Sequence, residues 1–146
     1  MIKFRAWGRN GNYPGTPSKK FEMFYDVSVV TTYKDNEQHV IADFGMYNES
    51  EYSGTEIIDY TLMQSTGLFD KNGKEIFEND ILKCTSFDGS IWYETISWDS
   101  TLAGFATQQN GYDATAISYI TDSKAITVEI IGNVHQHPKL LESVEE

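Results

Sequence analysis

The chain has 146 residues, enough for one domain or for two small subdomains sharing a core. Its aromatic content of 14% supplies large side chains for burial, and its single cysteine, Cys84, excludes an intrachain disulfide and fits a reducing cytosol. A formal net charge of −11 sets the chain against nucleic-acid phosphates at long range, and no run approaches the roughly 18 apolar residues of a membrane span.

The charge is uneven. Residues 1–21 hold Lys3, Arg5, Arg9, Lys19 and Lys20 and no acid, whereas the rest of the chain holds six bases and all 22 acids, a formal charge of −16. The basic segment has two places to dock, the acidic body of its own chain, which is the plainer reading, or a partner. The first seven residues carry charge early with no apolar run after it, so no secretory signal is expected and the protein is expected to be cytoplasmic.

Val, Ile, Thr, Tyr and Phe recur throughout, which favours strands. Residues 2–7 alternate Ile2, Phe4 and Ala6 with Lys3, Arg5 and Trp7, the period of a strand with one apolar face. Three Gly, two Pro and two Asn then predict a loop over residues 8–18, within a flexible stretch at 8–20. A single strand is expected at 21–32, a turn at 34–37 and a returning strand at 39–44. Residues 46–55 are polar and read as a connection with at most one helical turn, and 57–68 as a strand. Asn72-Gly73 is a strong hairpin signal, because both residues tolerate the positive φ of a type I′ turn.

Residues 74–77 return from that turn, 78–80 turn again, and 81–85 form the next strand, closed by a second hairpin turn at Asp88-Gly89. Residues 91–98 put Trp92, Glu94, Ile96 and Trp98 on one face and Ile91, Tyr93, Thr95 and Ser97 on the other. Strands follow at 104–107, 116–120 and 126–134, with Pro138 ending the last because it cannot donate to a ladder. Short strands about every ten residues suggest a small barrel. The expected fold is mainly β: an N-terminal antiparallel part (1–60), a C-terminal SH3-like small barrel (61–138) reached through a central hairpin, and an acidic tail (139–146).

Three blocks carry a family resemblance. They are Ile2-Lys3-Phe4-Arg5-Ala6-Trp7, the long run from Leu62 through Gly67-Leu68-Phe69-Asp70 and Glu78-Asn79-Asp80 to Lys83, and Glu129-Ile130-Ile131-Gly132-Asn133-Val134 with Pro138 and Leu140 after it. In this order and over nearly the whole chain they resemble the YopX family of bacteriophage and prophage proteins. The resemblance implies a mainly β fold, self-association and a bacterial host cytoplasm, and carries no established activity. The sequence departs from the family pattern at Asn79, where Gly is usual, although Asn also tolerates the left-handed region. It departs again at Gly8, where an acid is common, in the length of the 8–20 loop, and at His135 and His137.

Candidate chemistry is sparse. His135 and His137 lie two apart, so on a strand they would face one side as a metal pair requires; His39 and Glu129 are the conceivable further ligands. Two solvated histidines before a proline are the plainer reading. Glu75, Glu78 and Asp80 are close enough in sequence for acid–base work, but 22 acids produce such pairs by default. Cys84 lacks the electropositive surroundings that activate a thiol. No phosphate-cradling glycine motif and no nucleophile motif such as Gly-x-Ser-x-Gly is present. Trp92, Tyr93 and Trp98 resemble a base-stacking strand, yet no basic residue lies between Cys84 and Asp122, so core packing or a protein interface is the better reading. In the central block Gln64, Thr66, Gly67, Asp70, Asn72 and Gly73 suit hairpins and side-chain–backbone bonds, a scaffold role.

No catalytic, metal-binding or cofactor-binding residue is therefore assigned, and no cofactor is expected. The expected function is that of a phage-encoded, non-enzymatic binding or assembly protein that forms homo-oligomers. Alternatives are an acidic inhibitor of a host nucleic-acid-binding protein and a nucleic-acid-binding module using the basic N-terminal segment. The expected partners are a second copy of the chain and then a host protein, with nucleic acid disfavoured and no membrane.

Overall fold

The structure, a computed structural model, describes residues 2–33, 36–46 and 52–140. It is mainly β. In chain order the strands are β1 (Phe4–Asn10), β2 (Phe21–Tyr25), β3 (Ser28–Thr31), β4 (Gln38–Met46), β5 (Tyr52–Phe69), β6 (Glu75–Phe77), β7 (Asp80–Ser86), β8 (Ile91–Asp99), β9 (Gly104–Gln108), β10 (Thr115–Ala116) and β11 (Ile126–Asn133). One helical turn, α1 (Ser118–Thr121), precedes β11. Among the described residues no helix is long and apolar enough to cross a membrane. The chain divides into two compact units, Met1–Gln64 and Ser65–Glu146, with the boundary inside β5.

The first unit is an antiparallel sheet in the order β2-β1-β5-β4-β3. Its strands differ from the sequence expectation in two ways. β1 does not stop at residue 7 but runs on to Asn10. Gly8, read as a loop breaker, is a position of close approach: a Cβ there would lie 2.8 Å from Ile57 Cγ2 and 2.9 Å from the Ile58 carbonyl oxygen. The single strand expected at 21–32 is two strands, because Asp26 adopts φ 54° and turns the chain. β2 and β3 lie at opposite ends of the strand order with only Asp26 and Val27 between them. The sheet must therefore curl until its two edge strands meet end to end. Val27 sits at that corner, donates to the Phe4 carbonyl (3.3 Å) and is buried with Ala6, Val40, Ala42 and Ile57.

β5 begins at Tyr52, inside the stretch read as a connection; residues 47–51 of that stretch lie outside the described residues. So do Lys34 and Asp35 of the expected turn, whose flanks are joined by Thr32 N–H to the Glu37 carbonyl at 3.0 Å. The register of β1 on β5 shifts between Trp7 and Arg9, where Asp59 takes φ 49°. That bulge brings the Asp59 carboxylate to Arg9, whose Nε and Nη2 donate to Oδ2 at 2.8 and 2.5 Å.

The second unit holds the antiparallel sheet β10-β9-β8-β7-β11 and the hairpin of β6 on the end of β5. β7, β8 and β9 form a meander, and β11 returns to the free side of β7. The all-β class matches the expectation, and among the described residues the five strands follow one path with no ladder between β10 and β11. Leu82, Cys84, Ile96 and Val128 face one side of this sheet and pack with Ile76, Ile117 and Ile120. The strand expected at 116–120 is a second correction: Thr115–Ala116 pair with β9, and then the chain makes one helical turn. Ile117 and Ile120 are three apart and both buried, a helical spacing that strand alternation cannot satisfy.

The turn at Asn72-Gly73 is present but is not type I′. Gly73 N–H donates to the Asp70 carbonyl at 3.0 Å, and only Gly73 has positive φ, at 78°. This is a type I turn followed by a left-handed glycine, the three-residue hairpin loop. The β7–β8 turn repeats it, with Gly89 at φ 89° and its N–H on the Ser86 carbonyl at 3.0 Å. Asn79 takes φ 69°, the left-handed role that a Gly would otherwise fill.

Candidate functional site

Four polar clusters carry whatever chemistry the described residues hold. The first is the central block. Asp70 is 7% exposed, and its Oδ1 accepts the backbone N–H groups of Asn72 (2.9 Å) and Lys74 (2.8 Å), closing the hairpin loop. Its Oδ2 accepts the N–H of Ile130 at 3.0 Å, on the side of β11 that faces away from β7. Beside it, Lys71 N–H donates to the Val128 carbonyl at 2.9 Å and Lys71 Nζ pairs with Glu129 at 3.3 Å. Asp70-Lys71 thus stands in for a neighbouring strand along β11. Burial pushes the Asp70 carboxyl up, but the N–H donors of Ile130, Lys74 and Asn72 and the charge of Lys74 together hold it below its ordinary value.

The rest of the block is knitted in the same manner. Thr66 Oγ1 donates to the Ile76 carbonyl (2.7 Å) and accepts from Leu68 N–H (3.1 Å). Ser65 Oγ accepts from Gly67 N–H at 3.0 Å and donates to Glu75. Asp80, 2% exposed, accepts the Phe77 N–H at 2.8 Å. Glu75 and Asp80 are thus each engaged by a neighbour of their own hairpins and turns.

The second cluster is Cys84, Trp92 and Glu94. Trp92 stands opposite Cys84 in the β7–β8 register, and Glu94 is two residues on, so all three share the inward face. Glu94 is 7% exposed; its Oε2 accepts Trp92 Nε1 at 3.0 Å and Cys84 Sγ at 3.7 Å. Burial, then the charge and hydrogen bond of Glu94, push the Cys84 thiol up to about 12. It is a buried, protonated thiol. Trp98 lies on the same face as Trp92 but is 53% exposed, in edge contact with Phe105 at 5.3 Å. Tyr93 faces the other way, opposite Lys83, so the three aromatic residues do not form one platform.

The third cluster is one that sequence reasoning missed. His39 Nδ1 meets Glu56 Oε1 at 2.5 Å, and its Nε2 lies 3.5 Å from Thr32 Oγ1. Carboxylate, imidazole and hydroxyl follow in the order of a nucleophile relay. The Thr32 hydroxyl is also within 3.5 Å of the Glu37 carbonyl, so it serves the turn between β3 and β4 as well. No local signal joins residues so far apart; only the β4–β5 ladder brings His39 beside Glu56.

The histidine pair is the fourth. β11 ends at Asn133, so His135 and His137 sit in a turn and not on a strand, and the premise that they face one side fails. Asn133 Oδ1 accepts the N–H groups of His135 (3.1 Å) and Gln136 (2.9 Å), which ends the strand before Pro138 is reached. His137 Nδ1 accepts the Asn133 N–H at 3.2 Å, and a Cβ on Gly132 would lie 2.7 Å from that nitrogen. His135 Nε2 instead meets Asn79 Nδ2 at 3.1 Å. Among the described residues no group of three His, Cys, Asp or Glu side chains is placed to hold a metal ion.

Comparison with known proteins gives a consistent assignment. A family model described as YopX protein matches residues 3–142. The crystal structure of protein EF1440 from Enterococcus faecalis is similar, with a TM-score of 0.59 and 28% identity over 97% of this chain and 98% of that one. The crystal structure of protein yopX from Bacillus subtilis shares the fold, with a TM-score of 0.59 and 21% identity over 94% and 96% of the two chains. No curated protein matches the chain.

Proposed function

This chain belongs to the YopX family, and on that premise we propose that it is a phage- or prophage-encoded, non-enzymatic assembly protein that works as a homo-oligomer in the cytoplasm of a bacterial host. The observation that supports this reading is an open sheet edge. β2 ends the first sheet with no further strand beside it among the described residues, and it presents Phe21 and Tyr25, 42% and 53% exposed. Unpaired backbone groups on an edge strand are a template for another copy. By contrast, the edge of β11 is covered by Asp70-Lys71. Size-exclusion chromatography with light scattering tests the reading: a mass that is a multiple of 16.6 kDa is expected. A strict monomer at tens of micromolar would exclude it.

A second reading rests on charge. The 22 acids set against 11 bases suit an acidic inhibitor that imitates phosphates toward a basic host protein. Recovery of a nucleic-acid-binding protein from host lysate, lost at high salt, is its expected signature. Direct nucleic-acid binding by the basic N-terminal segment is less well supported, because Arg9 is engaged by Asp59 and by the Ser18 carbonyl (2.9 Å), and Arg5 is 2% exposed.

A further inference from the structure

Three Asn-Gly dipeptides stand in the sequence: Asn10-Gly11, Asn72-Gly73 and Asn110-Gly111. In such a pair the glycine amide nitrogen can attack the asparagine side-chain carbon, because no Cβ screens the approach and the glycine peptide rotates easily. The attack requires that N–H to lose its proton and turn toward the side chain. A hydrogen bond that holds the N–H therefore opposes it.

Two of the pairs are held. Gly11 N–H donates to the Glu56 carbonyl at 2.8 Å. Asn10 is the last residue of β1, paired with Ile57, and its Oδ1 accepts the Asn12 N–H at 2.8 Å. Gly73 N–H donates to the Asp70 carbonyl at 3.0 Å, and Asn72 N–H donates to Asp70 Oδ1 at 2.9 Å, so Asp70 fixes the peptides on both sides of Asn72. The third pair differs. Asn110 and Gly111 are exposed at the centre of the β9–β10 turn, which closes around them through Tyr112 N–H on the Gln109 carbonyl (3.0 Å) and Gln108 Nε2 on the Tyr112 carbonyl (2.8 Å). Among the described residues the Gly111 N–H has no acceptor, and a Cβ at Gly111 would have nothing within 4 Å.

We propose that Asn110-Gly111 is a site of self-modification, at which the folded chain converts Asn110 to aspartate and isoaspartate while Asn10 and Asn72 are protected. The Gly111 nitrogen forms a bond to Asn110 Cγ, the bond from Cγ to Nδ2 breaks, and Nδ2 leaves as ammonia with the proton given up by the Gly111 nitrogen. Water then opens the five-membered imide. Cleavage between the Gly111 nitrogen and Cγ gives aspartate. Cleavage between that nitrogen and the main-chain carbonyl carbon gives isoaspartate, whose chain runs through Cγ. Either product adds one negative charge to a chain already at −11, and isoaspartate lengthens the β9–β10 connection by one backbone carbon. Aged copies thus differ from new ones in charge and in that turn.

Incubation of the folded full chain in mildly alkaline buffer, followed by tryptic mapping, tests this. The three pairs fall in separate peptides, residues 10–19, 72–74 and 84–124. Conversion at Asn110 is expected to run at least about tenfold faster than at Asn10 or Asn72, the protection that a held amide gives against local opening. In urea the three rates are expected to converge within several-fold, since the same dipeptide is then equally mobile at each place. Methyl transfer from a labelled donor by an isoaspartyl carboxyl methyltransferase should mark the 84–124 peptide of the aged native protein. Gly111→Ala, with folding checked by circular dichroism, is expected to slow conversion several-fold, and Asn110→Gln to abolish the methyl label on that peptide. Native conversion at Asn110 no faster than at Asn10 and Asn72, aspartate without isoaspartate, or rates that stay unequal in urea would each overturn the proposal.

Discussion

Asp70 is the residue on which most of the central block converges. Its carboxylate accepts three backbone N–H groups, two within its own loop and one on Ile130, 60 residues away. Asp70→Asn would turn an amide N–H toward at least one of those donors. The expected loss at neutral pH is about 1–3 kcal/mol, the cost of leaving a buried donor unsatisfied, read by urea unfolding. The pH dependence has a definite sign. The folded carboxyl lies below the ordinary 3.8, so its contribution is fully present above that value and is lost as pH falls through the folded one. The stability gap between wild type and Asp70→Asn should therefore be widest above about pH 4 and narrow in more acid solution. A gap independent of pH would refute this role.

Cys84 is the opposite kind of residue. Its thiol is buried, pushed up to about 12 and hydrogen-bonded to Glu94. A thiol reagent at pH 8 should label the native protein very slowly and the urea-unfolded protein at once. Fast native labelling would mean that the β7–β8 face is open.

At the scale of the element, Gly73 and Gly8 represent two classes of glycine that look alike in sequence. Gly73 has nothing within 4 Å of a built Cβ and is required for its φ of 78°. Gly73→Val should cost roughly 1–2 kcal/mol, because a β-branched residue resists the left-handed region. An unchanged melting temperature would rule out the observed turn. Gly8 is required for space, with β5 backbone and Ile57 inside 3 Å of a Cβ. Gly8→Ala should destabilise by about 1–3 kcal/mol through overpacking, and thermal melting would show it. The first class was legible from Asn72-Gly73 and Asp88-Gly89, since a turn leaves a local signature. The second was not, because Gly8 followed by Arg9-Asn10-Gly11 has the composition of a loop, and only the neighbouring strand reveals why no side chain fits.

On the scale of the whole molecule, charge acts against compactness. With 22 acids and 11 bases the folded chain repels itself, and salt screens that repulsion. Raising sodium chloride from about 0.05 to about 0.5 M should raise the melting temperature. A fall would mean that ion pairs such as Arg9–Asp59 and Lys71–Glu129 outweigh the net repulsion.

The sequence by itself determined the β class, the positions of both glycine hairpins, the left-handed aptitude of Asn79, the alternation of β8 and the family. These follow from single-residue φ preferences and from side-chain alternation, which neighbours in the chain suffice to encode. Only the tertiary structure decided that residues 21–31 split at Asp26 and serve both ends of one sheet. It alone brought His39 to Glu56 and Asp70 to Ile130, and it turned His135 and His137 apart. The reason is common to all of these. Which strand lies beside which is set by where a distant segment returns, and the hydrogen bonds across that boundary leave no periodicity in either partner.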